Sequence, residues 1–177
     1  RQRHLQQIVQ LAVDYGVQGI DIDYENLFVT DKDIFIQFIQ ELSPRLKEKG
    51  VLLSVTVQPK TRLSLSNGPG AADWMDLCRS ADRLQIMLYN LHSNKTGPGP
   101  MATPEWIRHV VWFAQTKCDP KQIVPVLKVS GMHWSPSGVK GIQYEQAVAL
   151  AEQHNAPILI YVEWKCALFY LFSGWGG

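Results

Sequence analysis

Apolar positions repeat along this chain with two alternating periods. Leu5, Ile8, Val9, Ala12 and Val13 fall at i, i+3, i+4, i+7 and i+8, the stripe of an amphipathic helix that Gly16 ends. From residue 17 to 25 the period drops to two. Ile20, Ile22 and Tyr24 alternate with Asp21, Asp23 and Glu25, which predicts a strand with one apolar and one acidic face. Phe35, Phe38, Ile39, Leu42 and Leu46 return to helical spacing until Gly50. Thr30 or Asp31 can cap that helix, and Pro44 is expected to kink or split it.

The same punctuation continues downstream. Residues 51–57 form a β-rich apolar run, Ser66 to Gly70 reads as a turn, and residues 71–79 suit a short helix. A strand is expected over 83–89. Thr103 and Pro104 are the cap and first position of a helix over 105–116, and another strand is expected over 123–129. The glycine-rich stretch 130–141 has no clear period. A helix over 144–154 and a strand over 157–162 close the pattern. Alternating strands and helices imply an α/β fold with a parallel sheet, either a barrel or a doubly wound sheet. The GxG at Gly97 and Gly99 is proline-flanked and opens no dinucleotide-type helix.

The 177 residues suit one domain with a real core. Lys plus Arg number 17 against 16 for Asp plus Glu, a formal charge of +1, which argues against a nucleic-acid or anionic-membrane surface. Apolar residues at 46% and charged residues at 19% exclude a disordered chain. Cys78, Cys118 and Cys166 match no disulfide scaffold and no CxxC motif, and one disulfide with a spare thiol stays open. The most apolar stretch, 156–172, is broken by Glu163 and Lys165, so no membrane span is expected. The chain begins at Arg1 without a basic-then-apolar leader, so export cannot be read from it directly.

Three acids at i, i+2 and i+4 on a strand share one face, with neighbours about 6 to 7 Å apart. Carboxyls this close cannot all ionise easily, the condition a general acid needs. On spacing alone, three readings are open: a solvated acidic edge, a divalent-metal site, or a catalytic cluster.

Gly19-Ile20-Asp21-Ile22-Asp23-Tyr24-Glu25 resembles the DGxDxDxE signature of family 18 glycoside hydrolases, the chitinase superfamily, with Gln18 where the first Asp usually stands. Met87-Leu88-Tyr89-Asn90 resembles the same family's MxYD motif, with Asn90 in place of the Asp. Leu91-His92, the loop from Thr96 to Pro100 and Gly131-Met132-His133-Trp134 look most like its bacterial cell-wall and spore-associated branch. The likeness covers residues 5 to 157. It implies a partial TIM (β/α)8 barrel, strands four to seven with their helices, over residues 1–130. Residues 131–177 would hold the start of an α+β insertion and an atypical apolar tail.

The resemblance further implies substrate-assisted, retaining hydrolysis of β-linked N-acetylglucosaminyl bonds in chitin oligosaccharides or peptidoglycan. Glu25 would be the acid at a strand's C-terminal end, Asp23 would hold the acetamido nitrogen, and Asp21 would share a proton or hydrogen bond with Asp23. Tyr89 would donate its hydroxyl to the acetamido oxygen. Asn90, Met87, His92 and Trp134 are expected to bind substrate, Trp134 as a stacking platform. The plainer expectations are a barrel-filling aromatic for Tyr89, ordinary packing for Trp134 and a satisfied loop residue for His92. Trp106 and Trp112 read as core, with at least one partly exposed; His4, His109 and His154 read as surface positions on helices. No cofactor and no metal is implied. The partner is an N-acetylglucosamine-containing glycan, and the location is secreted or at the cell envelope. Two alternatives stand beside this: a weak or inactive carbohydrate-binding relative, and a barrel fragment without function.

Overall fold

The computed structural model of the chain describes residues 1–157. The strand expected over 157–162 and the aromatic tail therefore lie outside the described residues. Two compact units are distinguished, one of Arg1–Met87 and Arg108–Val126, the other of Leu88–Ile107 and the chain from Leu127 onward.

The first unit is built on a parallel sheet. Its elements are α1 (Gln2–Tyr15), β1 (Gly19–Ile22), α2 (Lys32–Lys47), β2 (Leu52–Val57), α3 (Trp74–Cys78), β3 (Arg83–Met87) and β4 (Ile123–Val126), together with part of α4 (Pro104–Gln115). The strands lie in the order β1-β2-β3-β4, all parallel, with Ile22 opposite Val55, Val57 opposite Ile86, and Met87 opposite Val126. That order never reverses, whereas a doubly wound sheet reverses at its switch point. Among the described residues the outer edges of β1 and β4 have no partner strand, so the sheet is open and no closed barrel is formed. Pro125, which lacks an N–H, is tolerated on such an edge.

Side-chain alternation divides the sheet into two unlike faces. Ile22, Leu53, Val55, Val57, Leu84 and Ile86 are buried, and α2 packs on β2 while α3 packs on β3. Phe35, Ile39, Leu42 and Leu46 of α2, Trp74 and Leu77 of α3 and Phe113 of α4 complete this core. The Trp74 and Phe113 ring centroids are 5.6 Å apart. Each such side chain contributes about 1.5–3 kcal/mol by leaving water, and Trp74→Ala would cost about 3–5 kcal/mol. The other face carries Asp21, Ser54, Thr56 and Gln85.

Several elements differ from their sequence expectation. The first strand stops at Ile22 rather than Glu25, because the ladder with β2 pairs only Gly19–Ile22 and the chain then turns through Asn26 at φ 60°. Pro44 does not split α2, which runs unbroken from Lys32 to Lys47. Its missing N–H removes one bond from the helix, while Leu42 and Leu46 on either side are fully buried and hold the turn in place. Asp31 does not cap α2 with its side chain; its carboxylate turns back to accept from Phe28 N at 2.9 Å. Gly16 ends α1 as expected, in the left-handed conformation at φ 60°.

The Cys78 and Cys118 sulfurs form a disulfide with the two Cα atoms 5.6 Å apart. It joins the end of α3 to the segment that follows α4.

In the second unit, the stretch 130–141 is an antiparallel hairpin of β5 (Gly131–Ser135) and β6 (Gly138–Ile142), followed by α5 (Tyr144–Gln153). Three glycines, Gly131, Gly138 and Gly141, interrupt the side-chain alternation that would have marked it, and Gly138 holds φ 125° at the two-residue turn. Thr103 caps the start of α4, its Oγ1 accepting from Trp106 N at 3.2 Å. No described helix is long and apolar enough to cross a membrane.

Candidate active site

The acidic segment sits at the C-terminal end of the parallel sheet, where β1 has finished. The alternation read from the sequence survives here only in part. Ile22 is buried and Tyr24 turns toward α1 and α2, while Asp21 points to the polar face of the sheet. Asp23 and Glu25 are exposed. Among the described residues, neither has a hydrogen-bond or ion-pair partner, so both carboxyls are free to meet a ligand. Glu25 also lines a small cavity of about 20 Å³, with Tyr24, Asn26, Thr56, Gln58 and Met87 among its walls. That volume holds about one water. Glu25 and Met87, expected from separate motifs, are thus brought together.

Asp21 is placed differently. Its Oδ1 accepts from Ser54 Oγ at 2.5 Å and Gln85 Nε2 at 2.7 Å, and its Oδ2 accepts from Thr56 Oγ1 at 2.7 Å. The sequence marks these three donors only as the polar breaks Ser54 and Thr56 within Leu-Leu-Ser-Val-Thr-Val and Gln85 within Arg-Leu-Gln-Ile-Met, and polar residues inside a parallel strand gain meaning only once the register is known.

Tyr24 anchors the acidic segment from its other side. Its ring stacks on Phe38 with centroids 5.6 Å apart and lies 6.2 Å from Phe35, and its hydroxyl is hydrogen-bonded to His4 Nε2. Burial pushes the Tyr24 hydroxyl above its ordinary range. His4, read as a plain surface residue, is therefore tied to the residue between Asp23 and Glu25.

Beyond β2, Lys60 donates to the carbonyls of Pro69 and Ala72 at 3.1 and 2.5 Å, and its Nζ lies 4.9 Å from the centroid of Trp74. Burial pushes the Lys60 ammonium down to about 8, against the opposing pull of Asp73. Asp73 caps α3, accepting from Met75 N and Asp76 N, and pairs with Lys32 at 3.1 Å. Burial raises the Asp73 carboxyl, but Lys32 and the two backbone N–H groups outweigh it and hold the group below the usual carboxylate range.

The remaining expected site residues belong to the second unit. Tyr89 and Asn90 follow closely on Met87, the last residue of β3. Lys128 Nζ stands 5.8 Å from the Tyr89 ring centroid. Asn90 has φ 61°, a left-handed conformation that Asn adopts more readily than most residues. His92 packs so closely under Gly99 that a Cβ there would fall 2.3 Å from the ring, and its Nδ1 is buried without a partner among the described residues. Trp134, on β5, is half-buried and donates from Nε1 to Ser93 O at 3.4 Å. Trp112 is 65% exposed, as expected of at least one of the two helix tryptophans, and Trp106 is half-buried, so neither is fully in the core; Trp112 lies on the open side of α4, one turn from exposed Arg108 and His109. Among the described residues no group of three or more His, Cys, Asp and Glu side chains is arranged to hold a metal ion.

The sequence matches the model of glycosyl hydrolases family 18 over residues 1–165. The chain belongs to this family. Within the family it is 27% identical over 167 residues to a protein of Bacillus subtilis assigned as a sporulation-specific glycosylase, covering 92% of this chain and 40% of that one. It is also 27% identical over 161 residues to the cortical fragment-lytic enzyme of Bacillus anthracis, covering 85% of this chain and 36% of that enzyme. The crystal structure of the Bacillus cereus spore cortex-lytic enzyme superposes with a TM-score of 0.77 at 25% identity, over 88% of this chain and 37% of that one. The chain thus spans about two fifths of the length of the curated relatives it matches. The family agrees with the resemblance carried by the two motifs, and these spore-related relatives agree with the branch indicated by Leu91-His92, the loop from Thr96 to Pro100 and the segment from Gly131 to Trp134.

Proposed function

We propose that this chain carries part of the catalytic barrel of a glycosidase that cleaves β-linked N-acetylglucosaminyl bonds by substrate-assisted retaining hydrolysis. The observation that carries the reading is Glu25: a carboxyl just past the C-terminal end of β1, without a partner among the described residues, inside a family 18 match that includes both motifs. In this reading β1 to β4 are strands four to seven of a (β/α)8 barrel. The hairpin with α5 begins an α+β insertion, so that the barrel portion runs over 1–130 and the insertion starts at 131.

Glu25 protonates the leaving glycosidic oxygen while the substrate's own acetamido oxygen attacks the anomeric carbon. The glycosidic bond breaks, an oxazolinium ion forms, and water then opens it with Glu25 acting as base. Asp23 holds the acetamido nitrogen and Tyr89 donates to the acetamido oxygen, so both stabilise charge that develops only as the ring closes. Asn90, Met87, His92 and Trp134 contact the sugar. Relatives named for lysis of the spore cortex support peptidoglycan ahead of chitin as the glycan. The Cys78–Cys118 disulfide suits the oxidising conditions outside the cytoplasm and supports an exported or envelope-associated protein. Asn90 in place of the family Asp favours one second reading, a relative that binds the glycan and turns it over weakly or not at all.

The test is cleavage of purified peptidoglycan and of N-acetylglucosamine oligomers by the full-length protein, with the anomer of the first product read by NMR. Release of the β-anomer is expected. No cleavage of either glycan, or release of the α-anomer, overturns the mechanism.

A further inference from the structure

The segment that carries Asp23 and Glu25 leaves the sheet at Ile22, the last residue of β1 paired with β2. Past the acids, its backbone is next bonded to a distant part of the chain at two places, and both partners belong to the loop joining β2 to α3, residues 58–73. Leu27 O accepts from Gly68 N at 2.8 Å, and Val29 N donates to Asn67 Oδ1 at 3.0 Å. Through Gln58, Gly68 and Ala72 the same loop walls the small cavity that Glu25 and Asn26 line. Gly68 suits this place alone: its φ is 75°, and a Cβ there would meet Gln58 Oε1 at 2.3 Å.

Within the loop, the bonds converge on Lys60. Its Nζ donates to Pro69 O at 3.1 Å and Ala72 O at 2.5 Å, and lies 4.9 Å from the Trp74 ring centroid. A carbonyl oxygen only accepts, so the direction of both bonds is fixed. The chain around those carbonyls is tightly folded: Gly70 N donates to Ser66 O at 2.8 Å, Ala71 N donates to Gly68 O at 3.1 Å, and Ala71 and Ala72 are buried. Among the described residues no carboxylate pairs with Lys60, since Asp73 is paired with Lys32. A half-buried ammonium without a counter-ion is costly, and the two loop carbonyls and the indole face are what offset it here. We infer that Lys60 is a positioning residue for the acid: by holding Pro69 and Ala72 it sets Asn67 and Gly68 against residues 27–29, and so fixes Glu25 at the cavity wall. The inference rests on the hydrolase reading above. A general acid acts only within about 2.6–3.2 Å of the oxygen it protonates, so a slackened loop costs rate before it costs affinity.

The experiment uses the full-length protein. Lys60→Met keeps the stem and removes the ammonium, and Asn67→Ala removes the acceptor of Val29 N–H. In Lys60→Met the amides of Gly68 and Val29 should exchange with solvent about tenfold faster or more, while those of β2 and β3 keep their protection. Its kcat should fall about tenfold or more with KM little changed. Asn67→Ala should lose kcat in the same direction, and the two losses should not add, because both act through one loop. Unchanged exchange at Gly68 and Val29 in Lys60→Met would overturn the inference, as would faster exchange there with wild-type kcat. Protection lost equally across β2 and β3 would assign the effect to general destabilisation and overturn it too. If Lys60→Met does not fold, Asn67→Ala decides, and wild-type kcat in that variant overturns the inference. A wild type that cleaves no glycan would overturn the hydrolase reading and the role in turnover together, whereas an active wild type with an unimpaired Lys60→Met overturns the inference alone.

Discussion

Cys78 and Cys118 are covalently joined across 40 residues of sequence, linking the end of α3 to the chain beyond α4. Closing a loop of that length removes entropy from the unfolded chain worth about 4 kcal/mol at most in the chain-entropy picture. Cys78→Ser and Cys118→Ser are each expected to lower the stability of the first unit by about 2–4 kcal/mol, and the double variant by no more than either alone. A urea titration with and without reductant checks this. Variants with the midpoint of the oxidised wild type would mean that the bridge adds nothing.

Glu25→Gln keeps the size of the side chain and removes its proton. The expected outcome is a fall in kcat of about 10²-fold or more with little change in ligand binding, since general acid catalysis is worth about 10² to 10⁴. Turnover of the variant at the wild-type rate would exclude Glu25 as the acid.

For Asn90→Asp the backbone should be undisturbed, because Asp and Asn share a tolerance for the left-handed conformation found here. A rise in kcat, or a shift in the pH–rate profile, is expected if charge is what the position lacks. An unchanged profile would show that the amide fills the role by hydrogen bonding alone. Tyr89→Phe is expected to lose about tenfold in kcat, about 1.4 kcal/mol of transition-state stabilisation.

Asp73 gives the fold a definite response to acid. Its carboxyl is raised by burial, yet lowered further by Lys32 and by the N–H groups of Asp76 and Met75, and it ends below the ordinary value. A depressed carboxyl means the unfolded chain binds the proton first. The stabilisation is therefore complete above the ordinary carboxylate value, near ~3.9, and is lost as pH falls through the lower folded value. Asp73→Ala should cost about 1 kcal/mol at pH 7. The gap from wild type should close on acidification below about pH 4, as followed by denaturant midpoints at several pH values. A gap independent of pH would assign the loss to packing.

What the sequence made legible follows from what fixes each feature. Helices α1, α2 and α5 and the parallel sheet came from periodicity, because each of these helices buries one stripe of its own surface. Strand ends did not. Asp23, Tyr24 and Glu25 keep the period of two although no ladder holds them, since alternation records which side a residue faces and says nothing of whether a neighbouring strand is there. Pro44 leaves α2 in one piece because its buried neighbours Leu42 and Leu46 hold the turn against the loss of one backbone bond. Among three cysteines, spacing could not choose the pair. The two motifs brought Glu25 and Met87 to one cavity, but Ser54, Thr56, Gln85 and His4 were invisible as site residues, because their meaning lies in contacts between strands and helices distant in sequence.

The left-handed turn at Asn90 has an evolutionary consequence. A backbone that accepts Asn and Asp alike is indifferent to the charge at that position, and a single-nucleotide change interconverts the two residues. Selection on turnover can therefore add or remove the carboxylate in one step without first repairing the loop, so lineages with either residue should be reachable from one another while the surrounding turn stays the same.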